Sequence, residues 1–309
     1  MALITAARIN NLQSRIALVL GNGAGENGYG QTLLSSQVSN QGGIIDADDM
    51  NNIYADILKA RVHQVGPGDI SIAQVIEDQN IVGEEDSDFI SDSGIVTNDA
   101  DGEKKGIADY ETLMTSVETD KAIVHASQAV SEAAIASVRT NVWNGLIYHQ
   151  VDVTFTDEDH RRHFFNSGGQ IIFNATLISG TGAKFDEWVG MLNTTIVKFE
   201  HNSTLDQSNS VLTNIGNYDL TSQYQTIGQR QGTGSYSENL YKIYARQTST
   251  SVLQFKVEFN DADTGGSAGS FIGDEPVSGT LTNSISQRRA TGSNVSITTP
   301  AYNTVTKLE

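Results

Sequence analysis

The sequence predicts an α+β protein: a helical N-terminal half followed by an antiparallel β-sandwich. Apolar residues recur at helical spacing through the first 150 positions. From Val151 onward they alternate with polar residues, between clusters of Gly, Asn, Asp and Ser. The change falls beside one stretch, HRRHFFNSGGQIIFNATL, residues 160–177. Two domains follow from this, helical over 1–150 and sandwich over 151–309, and 309 residues suffice for two cores.

The helical half opens on a repeat. ITAARINNLQSRI (4–16) aligns without gaps on IDADDMNNIYADI (45–57). Thr5 and Asp46 are placed to N-cap, and Ile9, Leu12 and Ile16, or Met50, Ile53 and Ile57, fall on one face. Each copy carries an Asn pair, Asn10 and Asn11 or Asn51 and Asn52. These sit at the helix surface or hydrogen-bond a neighbouring backbone, and the surface reading is favoured because Asn is seldom buried.

The connector between the copies holds a GxGxxG match at Gly23, Gly25 and Gly28. A dinucleotide site would need a strand before it and a crossover helix after it. Here the preceding IALVL continues a helix, so the glycines read as a helix stop and a turn. Residues 69–105 form an acidic loop, with eleven Asp or Glu and no Lys or Arg over 69–103. A long helix is expected over 106–148, through Tyr110, Leu113, Val117, Val124, Val130, Ile135, Val138, Val142 and Leu146, with a kink or split invited near Thr119.

In the second half VDVTF, QIIFNATLI, TTIVKFE, ENLYKIYAR, SVLQFKVEFN, VSGTLTNSISQRRA and NVSITTP read as strands. One helix, GAKFDEWVGMLN, is expected to plug an open end with Trp188 and Leu192. Asn166, Gly168 and Gly169 should make a tight turn that lets two backbones approach, with Phe164 and Phe165 anchoring it to the sandwich. These residues, with the four paired asparagines, are the candidate structural and assembly positions.

Charge and composition narrow the function. With 37 acidic against 19 basic residues the net charge is −18, which repels nucleic acid and anionic membrane. The absence of Cys excludes thiol chemistry and Cys-ligated metals. The N-terminal residues lack a signal-peptide pattern and no run is long enough to span a membrane, so synthesis in a cytoplasm is expected. Only 7% of residues are aromatic, so burial against identical copies, a homo-oligomer, is expected.

No catalytic constellation stands out. His63, His125, His149, His160, His163 and His201 are scattered, HExxH is absent, and Asp157 and Asp159 belong to an acidic turn. His160 and His163 bracket Arg161 and Arg162; a phosphate or carboxylate site is one reading and a turn entering a strand the favoured one. Asp99, Asp101 and Glu103, or Asp261 and Asp263, could ligate calcium but fit no twelve-residue loop, so a charged surface turn is preferred. Arg288 and Arg289 are too small a patch for nucleic acid, and the sequons at Asn174, Asn193, Asn202 and Asn294 are expected by chance. No enzyme activity, cofactor or metal is expected.

HRRHFFNSGGQIIFNATL, GAKFDEWVGMLN and GTLTNSISQRRATGSNVSITTP together resemble a β-domain of virion structural proteins from tailed bacteriophages, notably cyanophages and other marine phages. ITAARINNLQSRIALVLG, GYGQTL and ARVHQVG resemble the start of the same class. The resemblance covers most of the chain outside 69–140. It implies a homo-oligomeric part of the neck, collar, tail or fibre apparatus, made in the host cytoplasm and partnered by other virion proteins. A second expectation is a carbohydrate-binding module for a host surface glycan, with Tyr218, Tyr224 and Tyr236 stacking on sugars.

Overall fold

A computed structural model describes residues 6–38, 45, 47–67, 107–263 and 274–308. The elements in chain order are α1 (Ala6–Leu20), α2 (Ala47–Val65), α3 (Ile107–Thr119), β1 (Ala129–Ser131), β2 (Ile135–Arg139), β3 (Gly145–Thr154), α4 (Glu158–Asn166), β4 (Gln170–Ile178), α5 (Ala183–Leu192), β5 (Ile196–Phe199), β6 (Thr204–Leu205), β7 (Val211–Thr213), β8 (Gln225–Gln231), β9 (Leu240–Ser249), β10 (Val252–Asp261), β11 (Thr280–Ala290) and β12 (Ala301–Thr306). The fold is α+β with two antiparallel sheets, as the patterning predicts. The expected caps Thr5 and Asp46, the acidic loop and the Asp99, Asp101 and Glu103 cluster lie outside the described residues.

Two compact units emerge, and their borders differ from 1–150 and 151–309. The first comprises Met1–Val130, Arg162–Gly168 and Arg289–Ile297; the second comprises Ser131–Arg161, Gly169–Arg288 and Thr298–Glu309.

In the first unit α1, α2 and α3 pack through stripes at three- and four-residue spacing. Ile9, Leu12, Ile16 and Val19 meet Met50, Ile53, Ile57 and Ala60, with Ile107, Tyr110, Met114 and Val117 from α3, all essentially solvent-free. Ion pairs Arg8 to Glu111 at 2.8 Å and Arg15 to Glu118 at 2.7 Å link α1 to α3 across the rim.

The long helix expected over 106–148 is corrected to α3 alone, which stops at Thr119. Beyond it Val130, Val138 and Leu146 lie on strands β1 to β3 and Val142 lies in the link between β2 and β3, all four exposed, while Ser137, Ile147 and Val151 lie inside. The stripe was shared by two periods. β-Branched residues with alternate Ser and Arg decide for strand once Thr119 and Asp120 end the helix.

The second unit is a two-sheet sandwich. One sheet runs β1-β11-β4-β5-β6-β7, with β2 also on β11; the other runs β12-β3-β10-β9-β8. Val151, Val153, Ile243, Leu253, Phe255 and Val257 of one sheet and Ile171, Phe173, Leu177, Val197, Phe199 and Leu281 of the other are buried at alternate positions. Phe255 lies 5.1 Å from Phe173 and 5.3 Å from Phe199, ring centre to ring centre, so it joins the two layers. The expected helix is α5, and Trp188 and Leu192 on it are fully buried; Trp188 packs edge-on to Trp143 at 5.8 Å.

Candidate functional site

The stretch HRRHFFN folds as α4, correcting the expected turn. Asp157 Oδ1 accepts the His160 N–H at 2.7 Å, and Glu158 and Asp159 occupy the positive first turn. The supposed acidic turn is therefore a helix cap.

From α4, Arg162 reaches the glycine connector of the first unit and donates to the carbonyls of Asn27 at 3.1 Å, Asn22 at 3.2 Å and Gly25 at 3.4 Å. Asn166 Nδ2 donates to Gly28 O at 3.3 Å and Gly25 O at 3.4 Å, and His163 Nε2 pairs with Asn22 O at 2.9 Å. A phosphate loop would aim its N–H groups at the anion. This loop aims carbonyl oxygens at a guanidinium, the opposite polarity, and GxGxxG here is a receptor for Arg162. Arg162, His163 and Asn166 thus bind the backbone carbonyls of the connector.

Phe164 and Phe165 are fully buried, their rings 4.9 Å apart. They belong to the first unit. The turn after them is as expected. Gly168 holds φ +80°, and a Cβ there would come within 2.8 Å of Val124 Cγ1. Gly169 begins the next segment of the second unit.

The paired asparagines divide. Asn10 exchanges two hydrogen bonds with the Val38 backbone, at 2.8 and 3.0 Å, and so holds the connector along α1. Asn11 is exposed, Asn52 half-buried, and the Asn51 Oδ1 is buried without a hydrogen bond among the described residues. Asp56, which the sequence reading missed, grips the same connector: its buried carboxylate accepts the N–H groups of Leu34 and Ser35 and the Ser35 hydroxyl at 2.8–3.0 Å.

On the second unit two surfaces could receive a partner. Val138, Val142, Leu146 and Tyr148 are exposed within one short stretch, at 55, 53, 54 and 38%. Leu146 and Tyr148 are on β3, beside β12, which ends its sheet and exposes half of Val305. On the same sheet Tyr224 donates from its hydroxyl to Gln254 at 2.8 Å and Gln150 at 3.0 Å. Arg246 and Lys256 lie over its ring at 4.4 and 4.8 Å, and Tyr244 stands 6.1 Å away. A polar groove of about 350 Å³ nearby in sequence is lined by Leu220, Thr221, Ser222 and Gln247–Thr250. Tyr218 packs against His201 at 4.8 Å, and Tyr236 is half-buried in a short turn, so neither joins Tyr224.

Asp261 and Asp263, read as a charged surface turn, are buried instead and surround Lys184 of α5 together with Asp274. Among the described residues these three carboxylates are the one His, Asp and Glu group with spacing for a metal ion. The Lys184 ammonium stands at 2.9 to 3.1 Å from all three, where a cation would go. Burial draws the Lys184 pKa down, but Asp263, Asp274 and Asp261 outweigh it and hold the ammonium above its usual range. Burial and the hydrogen bond to Asp263 push Asp261 up to about 7, against the pull of Lys184.

His63 and His149 serve packing. His63 Nε2 meets Ser167 O at 3.0 Å and His149 Nδ1 meets the Asn283 amide at 2.7 Å, both inside. Burial lowers each to about 4, with the Lys307 charge adding to the effect at His149.

No protein-family model, curated protein or solved structure matches the chain. No helix among the described residues is long and apolar enough to cross a membrane.

Proposed function

We propose that the chain is a non-enzymatic structural protein that assembles with copies of itself, as part of the virion of a tailed phage. The observation that supports assembly is exposed Leu146 and Tyr148 on β3, the strand paired with the sheet-ending β12, with Val138 and Val142 exposed shortly before them in the chain. An edge strand with apolar neighbours gains by pairing with a second chain, through main-chain hydrogen bonds and burial together. The virion assignment, in the neck, collar, tail or fibre apparatus, rests on the sequence resemblance of the 160–177 stretch and of the N-terminal segment. Leu146→Lys should dissociate the assembly while leaving the melting temperature of the subunit near that of the parent; an unchanged assembly would overturn the role of this surface. Co-sedimentation with purified neck, tail and fibre components tests the station, and no binding to any of them would remove the virion reading.

A host-glycan-binding role is the second reading. It is favoured by the Thr- and Ser-lined groove and by Tyr244 within the Tyr224 network. A glycan array probed with the folded chain and with Tyr244→Ala tests it; no bound glycan would eliminate it.

A further inference from the structure

We propose that Lys184 and Asp261 condense into an intramolecular isopeptide bond, with Asp263 as the group that takes the ammonium proton. The geometry is that of a held reactant pair. Lys184 Nζ lies 3.1 Å from Asp261 Oδ2 and 2.9 Å from Asp263 Oδ1, and the side chains are 2%, 0% and 8% exposed. The surroundings are aromatic. Trp188, one turn along α5 from Lys184, packs on Phe259 at 6.4 Å, and Phe259 precedes Asp261 by two positions on β10, with Tyr241 5.3 Å beyond.

The two aspartates are not equivalent. Asp261 Oδ2 meets Lys184, while its Oδ1 is buried without a hydrogen bond among the described residues, and burial raises its pKa to about 7, which brings the neutral carboxylic acid, the electrophilic form, into the neutral pH range. Asp263 is held below the usual carboxylate range; burial pushes it up, but Lys184, Asp261 and Asn239 prevail, so it stays ionised, and its Oδ1, 2.9 Å from the ammonium, is placed to accept the proton. Asn239 Oδ1 fixes the strand end by accepting the N–H groups of Ala262 at 2.8 Å and Asp263 at 3.1 Å. Asp274, 32% exposed and bonded to Asn144, completes the shell around the ammonium.

The step balances without any added reactant. The Lys184 ammonium gives one proton to the Asp263 carboxylate, and the free amine attacks Cγ of the protonated Asp261 carboxyl. A C–N bond forms. The Asp261 C–O bond breaks, and its hydroxyl leaves as water with a second proton from nitrogen, so that the products are an amide, one water and a protonated Asp263. A buried ammonium and a buried carboxylate disappear together, which relieves their desolvation. The amide would tie α5 to the end of β10 across 77 positions of chain.

Mass spectrometry of the purified full chain tests this without any variant. The expected result is an intact mass lighter by one water, and a tryptic branched peptide joining residues 163–198, uncut after Lys184, to residues 257–288. Lys184→Arg, which keeps the charge, should restore the unmodified mass and lose the branched peptide; Asp263→Asn should lose it as well. Two findings overturn the bond: normal cleavage after Lys184 at the unmodified mass, or a missing water confined to a linear 257–288 peptide. A branched peptide that persists in Asp263→Asn overturns the assignment of Asp263.

Discussion

Arg162 shows how single side chains organise this protein. One guanidinium satisfies the carbonyls of three connector residues, so Arg162→Met should leave buried acceptors bare and cost about 2 to 4 kcal/mol, read as a lowered denaturant midpoint. Buried histidines predict a second effect. In the unfolded chain each titrates near 6.5, and in the folded chain His63 and His149 titrate near 4. The unfolded state therefore binds more protons between these values, and stability present above pH 6.5 is lost as pH falls to 4, by about 1 to 3 kcal/mol for each residue. His149→Gln should flatten that limb in unfolding curves taken across pH; an unchanged slope would show that His149 does not titrate there. None of this was legible from the sequence. A His or Arg reads the same whether it faces water, a carbonyl cage or a core, and the difference is made by partners more than 100 positions away.

Elements were legible where one period ran unopposed. The α1 and α2 repeats, β4, β9, β10, β11 and α5 follow from Ile9, Leu12 and Ile16, from Phe255, Val257 and Phe259, and from Trp188 and Leu192. Two places misled. Residues 120–148 carry apolar positions that fit a helix as well as strands, and the polar turn after Thr119 decided for strands. In TDEDHRRHFFN the acidic start looked like a surface turn, although Asp157 as cap, acids in the first turn and His163 in the last are the signals of a short helix. Asp157→Ala should accordingly cost about 1 kcal/mol of stability. Phe255, the ring that joins the two sheets, should cost about 3 to 5 kcal/mol when replaced by Ala, seen as an early thermal transition.

At the scale of the whole molecule, the assembly proposal rests on exposed apolar residues of β3, the strand next to the open edge of the β-sandwich. Of the candidate structural and assembly residues, Asn10 and Asn166 hold a connector, and Phe164 and Phe165 are fully buried. The exposed apolar residues proposed to meet a neighbour, Val138 to Tyr148, are hidden in the sequence because their spacing also fits a helix stripe. Light scattering coupled to size-exclusion chromatography weighs the assembly directly. The account predicts a discrete multiple of 33.2 kDa that falls to one subunit in Leu146→Lys. A monodisperse 33.2 kDa species across the accessible concentration range would contradict it.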